Sequence, residues 1–60
     1  MIVIHAHHTY LPLRGGVETA IASLAEEQAR RGHEVHVITS TYCAGGRPRE
    51  EVVNGVRVHR

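Results

Sequence analysis

The residues most suggestive of a ligand site are two adjacent glycines, Gly15 and Gly16, which stand just before a long amphipathic segment. The first N–H groups of a helix have no partner within the helix, and the helix dipole adds partial positive charge there. Glycines let an anion approach these donors closely, and they also permit backbone angles closed to other residues. The pair therefore predicts a phosphate or carboxylate site at a helix N-terminus. Simple turn chemistry is the alternative explanation for such a pair.

The glycine pair differs from both standard nucleotide motifs. A dinucleotide fingerprint requires a third glycine, and a phosphate-binding P-loop requires lysine followed by serine or threonine. Val17-Glu18-Thr19 follows the pair instead. The sequence therefore predicts an anion site that does not follow either motif.

The histidines near the start of the chain raise the question of a metal site. His5 and His7 project from the same face of a strand, and neutral imidazole is a common metal ligand. No third ligand stands beside them at a recognisable spacing, and the single cysteine, Cys43, stands alone. We therefore predict no metal site and no cofactor. His33 and His36, at the opposite end of the fold, are interpreted as structural or solvent-facing.

Three segments must position the glycine turn. β-Branched and apolar residues predict a strand over residues 2–7, and apolar residues at helical spacing predict a helix over 17–31 that Gly32 ends. A second β-branched run predicts a strand over 35–39. Two strands joined by a helix lie parallel, so these elements form one βαβ unit. The loop of residues 9–14 and the glycines then lie at the carboxyl edge of the sheet, where ligands of α/β folds bind.

The remainder of the chain predicts a hairpin. Residues 40–50 are interpreted as a loop, and Asn54-Gly55 between two short valine-rich runs is a strong two-residue turn signal. The first strand is apolar on both faces, whereas the single helix covers one face only. We therefore interpret residues 1–60 as an incomplete N-terminal Rossmann-like domain. This fragment should be only marginally stable by itself.

Composition excludes several classes of protein. The 60 residues contain 7 arginine or lysine residues and 6 acidic residues, and a net charge of +1 gives no indication of a nucleic-acid partner. No apolar run approaches the roughly 18 residues of a membrane span. A single cysteine suits a reducing compartment. The sequence therefore predicts a cytoplasmic protein and leaves membrane association open.

Several segments together resemble a known enzyme family. They are Tyr10-Leu11-Pro12, Gly15-Gly16-Val17-Glu18, Leu24-Ala25, Arg31-Gly32-His33-Glu34-Val35 and the closing Asn54-Gly55-Val56-Arg57-Val58-His59-Arg60. This pattern resembles the start of the retaining glycosyltransferases of family four, which have the two-domain GT-B fold. The similarity extends across nearly all of the chain and covers only the opening of that family's N-terminal domain.

The resemblance implies roles for particular residues. It places Gly15 and Gly16 in the cleft between two Rossmann-like domains, where their backbone amides contact the diphosphate of a nucleotide-sugar donor. It makes Tyr10 and Arg14 candidate contacts to the glycosyl acceptor. It assigns no catalytic residue to this chain, since the family's paired glutamates belong to the C-terminal domain and its histidine comes later in the N-terminal domain.

The resemblance therefore implies transfer of a sugar from a nucleoside diphosphate to an acceptor with retention of configuration. Two alternatives remain open at this stage. One is a nucleotide-sugar epimerase with the same two-domain architecture. The other is a non-catalytic α/β module that binds a phosphorylated ligand or a partner protein. The donor nucleotide, the sugar, the acceptor and the oligomeric state are not specified by these 60 residues.

Overall fold

A computed structural model of the chain describes residues 1–12, 15–42 and 45–60. These described residues form one helix and four strands. In chain order these are β1 (Ile2–Ala6), α1 (Gly16–Arg30), β2 (Glu34–Ile38), β3 (Glu50–Val53) and β4 (Val56–His59). The α/β class, the βαβ unit and the hairpin are as the sequence predicts. The predicted boundaries differ from the observed ones by one residue at most of the ends.

The strands form one mixed sheet in the order β1-β2-β4-β3. β1 and β2 pair in parallel, as a connecting helix requires, and β4 pairs in parallel with β2. β3 is antiparallel to β4 and forms one edge of the sheet, with β1 at the other. The second strand of the hairpin, rather than the first, therefore lies beside the βαβ unit, which the sequence pattern does not predict.

Local sequence explains where the helix and the hairpin end. Gly32 has a φ of +94°, the left-handed conformation that ends helix α1. Asn54 and Gly55 have φ values of 51° and 84°, and two consecutive positive values are those of a type I′ turn. This turn matches the twist of the two strands, so it fixes the register in which β3 and β4 pair.

The core lies between helix α1 and one face of the sheet. The buried residues come from the central strands, the helix and the loop after β1, and they are Val35, Val37, Val56, Val58, Ala22, Ala25, Tyr10 and Leu11. In both central strands every second residue is buried, because alternate side chains of a strand point to opposite faces. The loop after β1 is therefore part of the packed core.

The other face of the sheet is exposed. Large apolar side chains on this face include Ile2, Ile4, Ile38 and Val52. Sheets with parallel strands are usually covered on both faces, so the uncovered face agrees with the prediction of an incomplete domain, which stays a prediction. Among the described residues, no helix has the length and apolar character needed to cross a membrane.

A chain of polar side chains crosses the centre of this exposed face. His36 Nε2 lies 2.7 Å from Glu34 Oε2, and His36 Nδ1 lies 2.9 Å from His59 Nε2. His59 Nδ1 in turn lies 3.3 Å from Glu50 Oε1. The two rings are almost parallel, at 17°, with centroids 5.1 Å apart, so they meet edge to edge. Three hydrogen bonds need three protons, whereas two neutral imidazoles carry two, so this chain is complete only when one further proton is bound.

We expect replacement of His59 with phenylalanine to shift the NMR signals of the His36 ring nitrogens, because the two rings share a hydrogen bond. The reciprocal variant should shift the ring signals of His59. His33→Phe is the matched control, since His33 lies just before β2 and outside the three hydrogen bonds described. Ring signals that do not respond to replacement of the neighbouring histidine would show that the two rings do not share this bond.

Candidate functional site

Helix α1 begins at the carboxyl edge of β1, beside the loop of residues 7–12. Gly15 is the N-cap residue and has an extended conformation, with φ −84° and ψ −177°. Its carbonyl oxygen accepts the hydrogen bond from the Thr19 N–H at 3.0 Å. The N–H groups of the preceding turn, from Gly16 to Glu18, therefore come before the first intrahelical bond, as expected of a helix start.

The two glycines have different surroundings, although neither adopts a positive φ. A Cβ at Gly15 would lie 2.5 Å from Oε1 of Glu18, so the Glu18 side chain explains why this residue is small. A Cβ at Gly16 would meet no described atom within 4 Å. Neither backbone strain nor packing within the described part of the chain therefore requires glycine at position 16.

Glu18 occupies the inner side of the helix start. Its side chain is largely buried, and its Oε2 accepts a short hydrogen bond from the Thr9 hydroxyl. His7 Nε2 lies 3.6 Å from the same oxygen. The bond from Thr9 and one from the backbone N–H of Glu18 lower the pKa of this carboxyl, and they outweigh the opposing effect of burial. The helix start is thus partly neutralised from within by an ionised carboxylate.

The sequence pattern places Glu18 just after the glycine pair, within the predicted helix, and indicates no partner for it. An acid three residues after an N-cap is a recognised capping position, and this spacing is the signal that could have drawn attention to it. Thr9 lies nine residues earlier, on the loop after β1. No spacing rule connects a loop threonine to a helix glutamate, so only the fold identifies the pair.

Replacing Thr9 with valine should make the protein more sensitive to acid. The folded state holds the Glu18 pKa below its unfolded value, so this group contributes stability above the unfolded pKa and loses it as pH falls through the folded pKa. Without the Thr9 hydroxyl the folded pKa rises, and the acid-unfolding midpoint moves to higher pH. Circular dichroism during acid titration measures this shift. Thr19→Val, on the exposed face of the same helix, should leave the midpoint unchanged.

Tyr10, a candidate acceptor contact, lies in the core with only 2% of its surface exposed. Its hydroxyl has no hydrogen-bond partner among the described residues. Burial raises the pKa of this phenol, and the nearby charge of Glu26 raises it further. The observed position favours a packing role, and contact with the acceptor stays an untested prediction. Arg14, the other candidate acceptor contact, lies outside the described residues.

His5 and His7, the two histidines considered as metal ligands, contact different parts of the fold. His5 lies in β1, and its Nε2 is 2.8 Å from Oε1 of Gln28, near the end of helix α1. His7 lies beside Glu18 at the helix start, and its ring centroid is 4.6 Å from that of His8. Within residues 1–12, 15–42 and 45–60, no group of three or more His, Cys, Asp or Glu residues is arranged to hold a metal ion.

Hydrogen bonds from other strand ends hold the loop of residues 7–12 in place. The backbone N–H of His7 donates to the Ile38 carbonyl at 3.1 Å, and the Ser40 hydroxyl donates to the His8 carbonyl at 2.5 Å. Arg60 Nη2 donates to the Leu11 carbonyl at 2.6 Å. No sequence pattern relates Ser40 or Arg60 to this loop, because they are 32 and 49 residues away from their loop partners.

A model of a known protein family matches most of this chain. The family model described as the glycosyl transferase 4-like domain matches residues 15–60. The chain belongs to this family. The matched segment of this glycosyl transferase 4-like domain begins at Gly15 and includes the complete helix α1 and strands β2 to β4. No curated protein and no solved structure matches the chain.

Family membership gives the general chemistry of this glycosyl transferase 4-like domain. It indicates a transferase with a sugar donor and an acceptor as its substrates. The predicted resemblance is confirmed at this level. The match starts at the N-cap of helix α1, so the helix start described above lies within the family segment.

Proposed function

We propose that this glycosyl transferase 4-like chain is the N-terminal part of a retaining glycosyltransferase with the GT-B fold. The enzyme transfers a sugar from a nucleoside diphosphate donor to an acceptor. The backbone of Gly15 and Gly16 binds the donor diphosphate at the start of helix α1. The observation that carries this proposal is the open space at Gly16, together with its position at the ligand edge of the sheet.

The absence of an internal reason for glycine at position 16 supports close approach by a ligand. A turn glycine is ordinarily explained by a positive φ, and a packed glycine by a neighbouring atom. Among the described residues Gly16 has neither, although glycine is in general a poorer helix former than alanine. A ligand that contacts the helix N–H groups would account for this choice of residue.

Glu18 restricts the side from which an anion can approach. Its carboxylate is held against Thr9 on the Gly15 side of the helix start, where it would repel a diphosphate. The Gly16 side is exposed to solvent. We therefore place the diphosphate against the N–H groups of Gly16 and Val17, with Gly15 providing the bend into the helix.

The helix start would assist the departure of the donor diphosphate. Negative charge grows on the leaving oxygen as the glycosidic bond breaks, so preorganised N–H donors stabilise the transition state more than the ground state. A helix N-terminus stabilises a nearby negative charge by about 0.3–2 kcal/mol, which is small beside the amount by which an enzyme lowers the activation free energy of its reaction. Most of the catalysis would therefore come from residues outside this chain.

Arg14 is proposed to contact the glycosyl acceptor, and Tyr10 to support that contact through the packing of its loop. The protein is proposed to act in the cytoplasm, and no metal or organic cofactor is assigned to it. The two carbohydrate substrates would be a nucleotide sugar and a glycosyl acceptor.

The test is a product analysis with the full-length protein that contains this chain. Candidate nucleotide sugars and acceptors are screened by mass spectrometry, and NMR gives the anomeric configuration of the first product formed. We expect a transferred sugar with the configuration of the donor. A product of inverted configuration would contradict retention. Sugar epimerisation without transfer would identify an epimerase, and donor binding without turnover would identify a binding module.

A further inference from the structure

Arg60 is a buried cation that connects three segments of the fold. Its side chain is only 1% exposed. One guanidinium nitrogen, Nη1, donates to Glu51 Oε2 at 2.6 Å and to the Pro48 carbonyl at 3.2 Å. The other, Nη2, donates to the Leu11 carbonyl at 2.6 Å. The planar guanidinium can hold these acceptors together because its donors point in fixed directions.

Glu51 balances the charge of Arg60. Burial of the Glu51 carboxyl opposes its ionisation, but hydrogen bonds from Arg60 and Arg47 outweigh this effect and lower the pKa of Glu51. A buried ion pair of this kind satisfies the charge of both partners. The bond to Leu11 is therefore additional to the ion pair. Its particular effect is to join the loop after β1 to the end of β4.

The loop that Arg60 holds leads directly to the proposed donor site. Leu11 is four residues before Gly15 in the sequence, and Thr9, Tyr10 and Leu11 are all buried. Thr9 of the same loop binds Glu18 on the first turn of helix α1. A displacement of this packed loop would therefore be transmitted to the helix start through the Thr9–Glu18 bond.

We propose that Arg60 is a positioning residue for the donor site, and that it acts by holding the Leu11 carbonyl. This inference rests on the proposed function, since it concerns the same helix start. Arg60 fixes the loop from the β4 side, and the Thr9–Glu18 bond fixes it from the helix side. Arg60 itself has no contact with the donor in this proposal.

The test compares Arg60→Lys with Arg47→Lys in the full-length protein. Lysine keeps the positive charge beside Glu51 but has a single nitrogen, so it cannot reproduce the fork that binds Glu51 and Leu11 together. We expect Arg60→Lys to raise the Kd for a nucleoside diphosphate and the donor KM about tenfold, with a smaller change in kcat. Arg47 binds the same carboxylate from an exposed position, so Arg47→Lys should leave both constants unchanged.

A second measurement keeps the two proposals distinguishable. Amide hydrogen exchange in residues 7–12 reports the position of the loop without any ligand, and we expect faster exchange in Arg60→Lys than in Arg47→Lys. Exchange equal in the two variants would overturn the positioning role, as would unchanged donor binding in a folded Arg60→Lys protein. If the parent protein binds no nucleoside diphosphate, the donor-site role of Arg60 falls together with the proposed function, while faster exchange would still show that Arg60 holds the loop.

Discussion

Replacing Gly16 with alanine is expected to leave the protein as stable as the parent while weakening diphosphate binding at least tenfold. Alanine is in general the better helix former, and its Cβ would meet no described atom within 4 Å. The same methyl group would occupy the space through which the diphosphate reaches the helix N–H groups. The free energy of unfolding should therefore stay the same or rise, while the affinity for the diphosphate falls.

Isothermal titration with a nucleoside diphosphate and the matching monophosphate measures this effect in the full-length protein. The weakening should be larger for the diphosphate, and kcat/KM should fall with it, beyond what any loss of stability explains. Binding of an uncharged acceptor analogue should change little. Gly16→Val adds a branched side chain and should show a greater loss of donor binding.

Two other variants serve as controls for Gly16→Ala. Thr19→Ala shortens an exposed side chain in the first turn, where its N–H already bonds the Gly15 carbonyl, and should not affect donor binding. Gly15→Ala would bring a Cβ to within 2.5 Å of Glu18 Oε1, so it should displace the carboxylate from Thr9 and lower stability. If folded Gly16→Ala protein binds the diphosphate as tightly as the parent, the glycine pair is only a turn and the donor site lies elsewhere.

Replacing Val37 with alanine is expected to destabilise the fold by about 2 kcal/mol. Val37 is completely buried at the centre of β2, between β1 and β4. The substitution removes two methyl groups from the core, which costs their burial energy and leaves a cavity. A chain of 60 residues has little stability to lose, so the urea concentration at the midpoint of unfolding should fall strongly in this variant.

The matched control for Val37→Ala is Val52→Ala on edge strand β3. Val52 is 68% exposed on the open face, so the same change in composition should alter the free energy of unfolding by less than about 0.5 kcal/mol. Urea denaturation followed by circular dichroism gives both values. Equal losses for the two variants would show that the helix does not cover the face of the sheet that contains Val37.

Both experiments examine features that the sequence predicts to different degrees. The valines of β2 and β4 are predicted to be strand residues, but alternation alone does not say which face the helix covers. The glycine pair is predicted to precede a helix, but sequence does not show that Gly15 packs against Glu18 while Gly16 faces open space. Distinguishing the two glycines requires the position of the Glu18 side chain.

The sequence by itself determined the helix, the parallel βαβ unit, the hairpin and the family. These features follow from short-range patterns: the 3.6-residue period of α1, the β-branched runs, the left-handed stop at Gly32 and the Asn54-Gly55 turn. Each depends on backbone geometry within a few residues, so it can be read from the local sequence. The direction of β2 then follows from its connection through a helix.

Only the tertiary structure decided which side chains meet around the helix start. The burial of Tyr10, the Thr9–Glu18 bond and the Arg60–Leu11 bond join residues that no local period relates. The Arg60–Leu11 bond forms because β4, rather than β3, pairs with β2, which brings the end of β4 to the loop after β1. The Thr9–Glu18 bond forms because helix α1 packs back against the sheet beside that loop. Such contacts depend on how whole elements pack together. The residues that meet are far apart in the sequence, so no single segment indicates the contact.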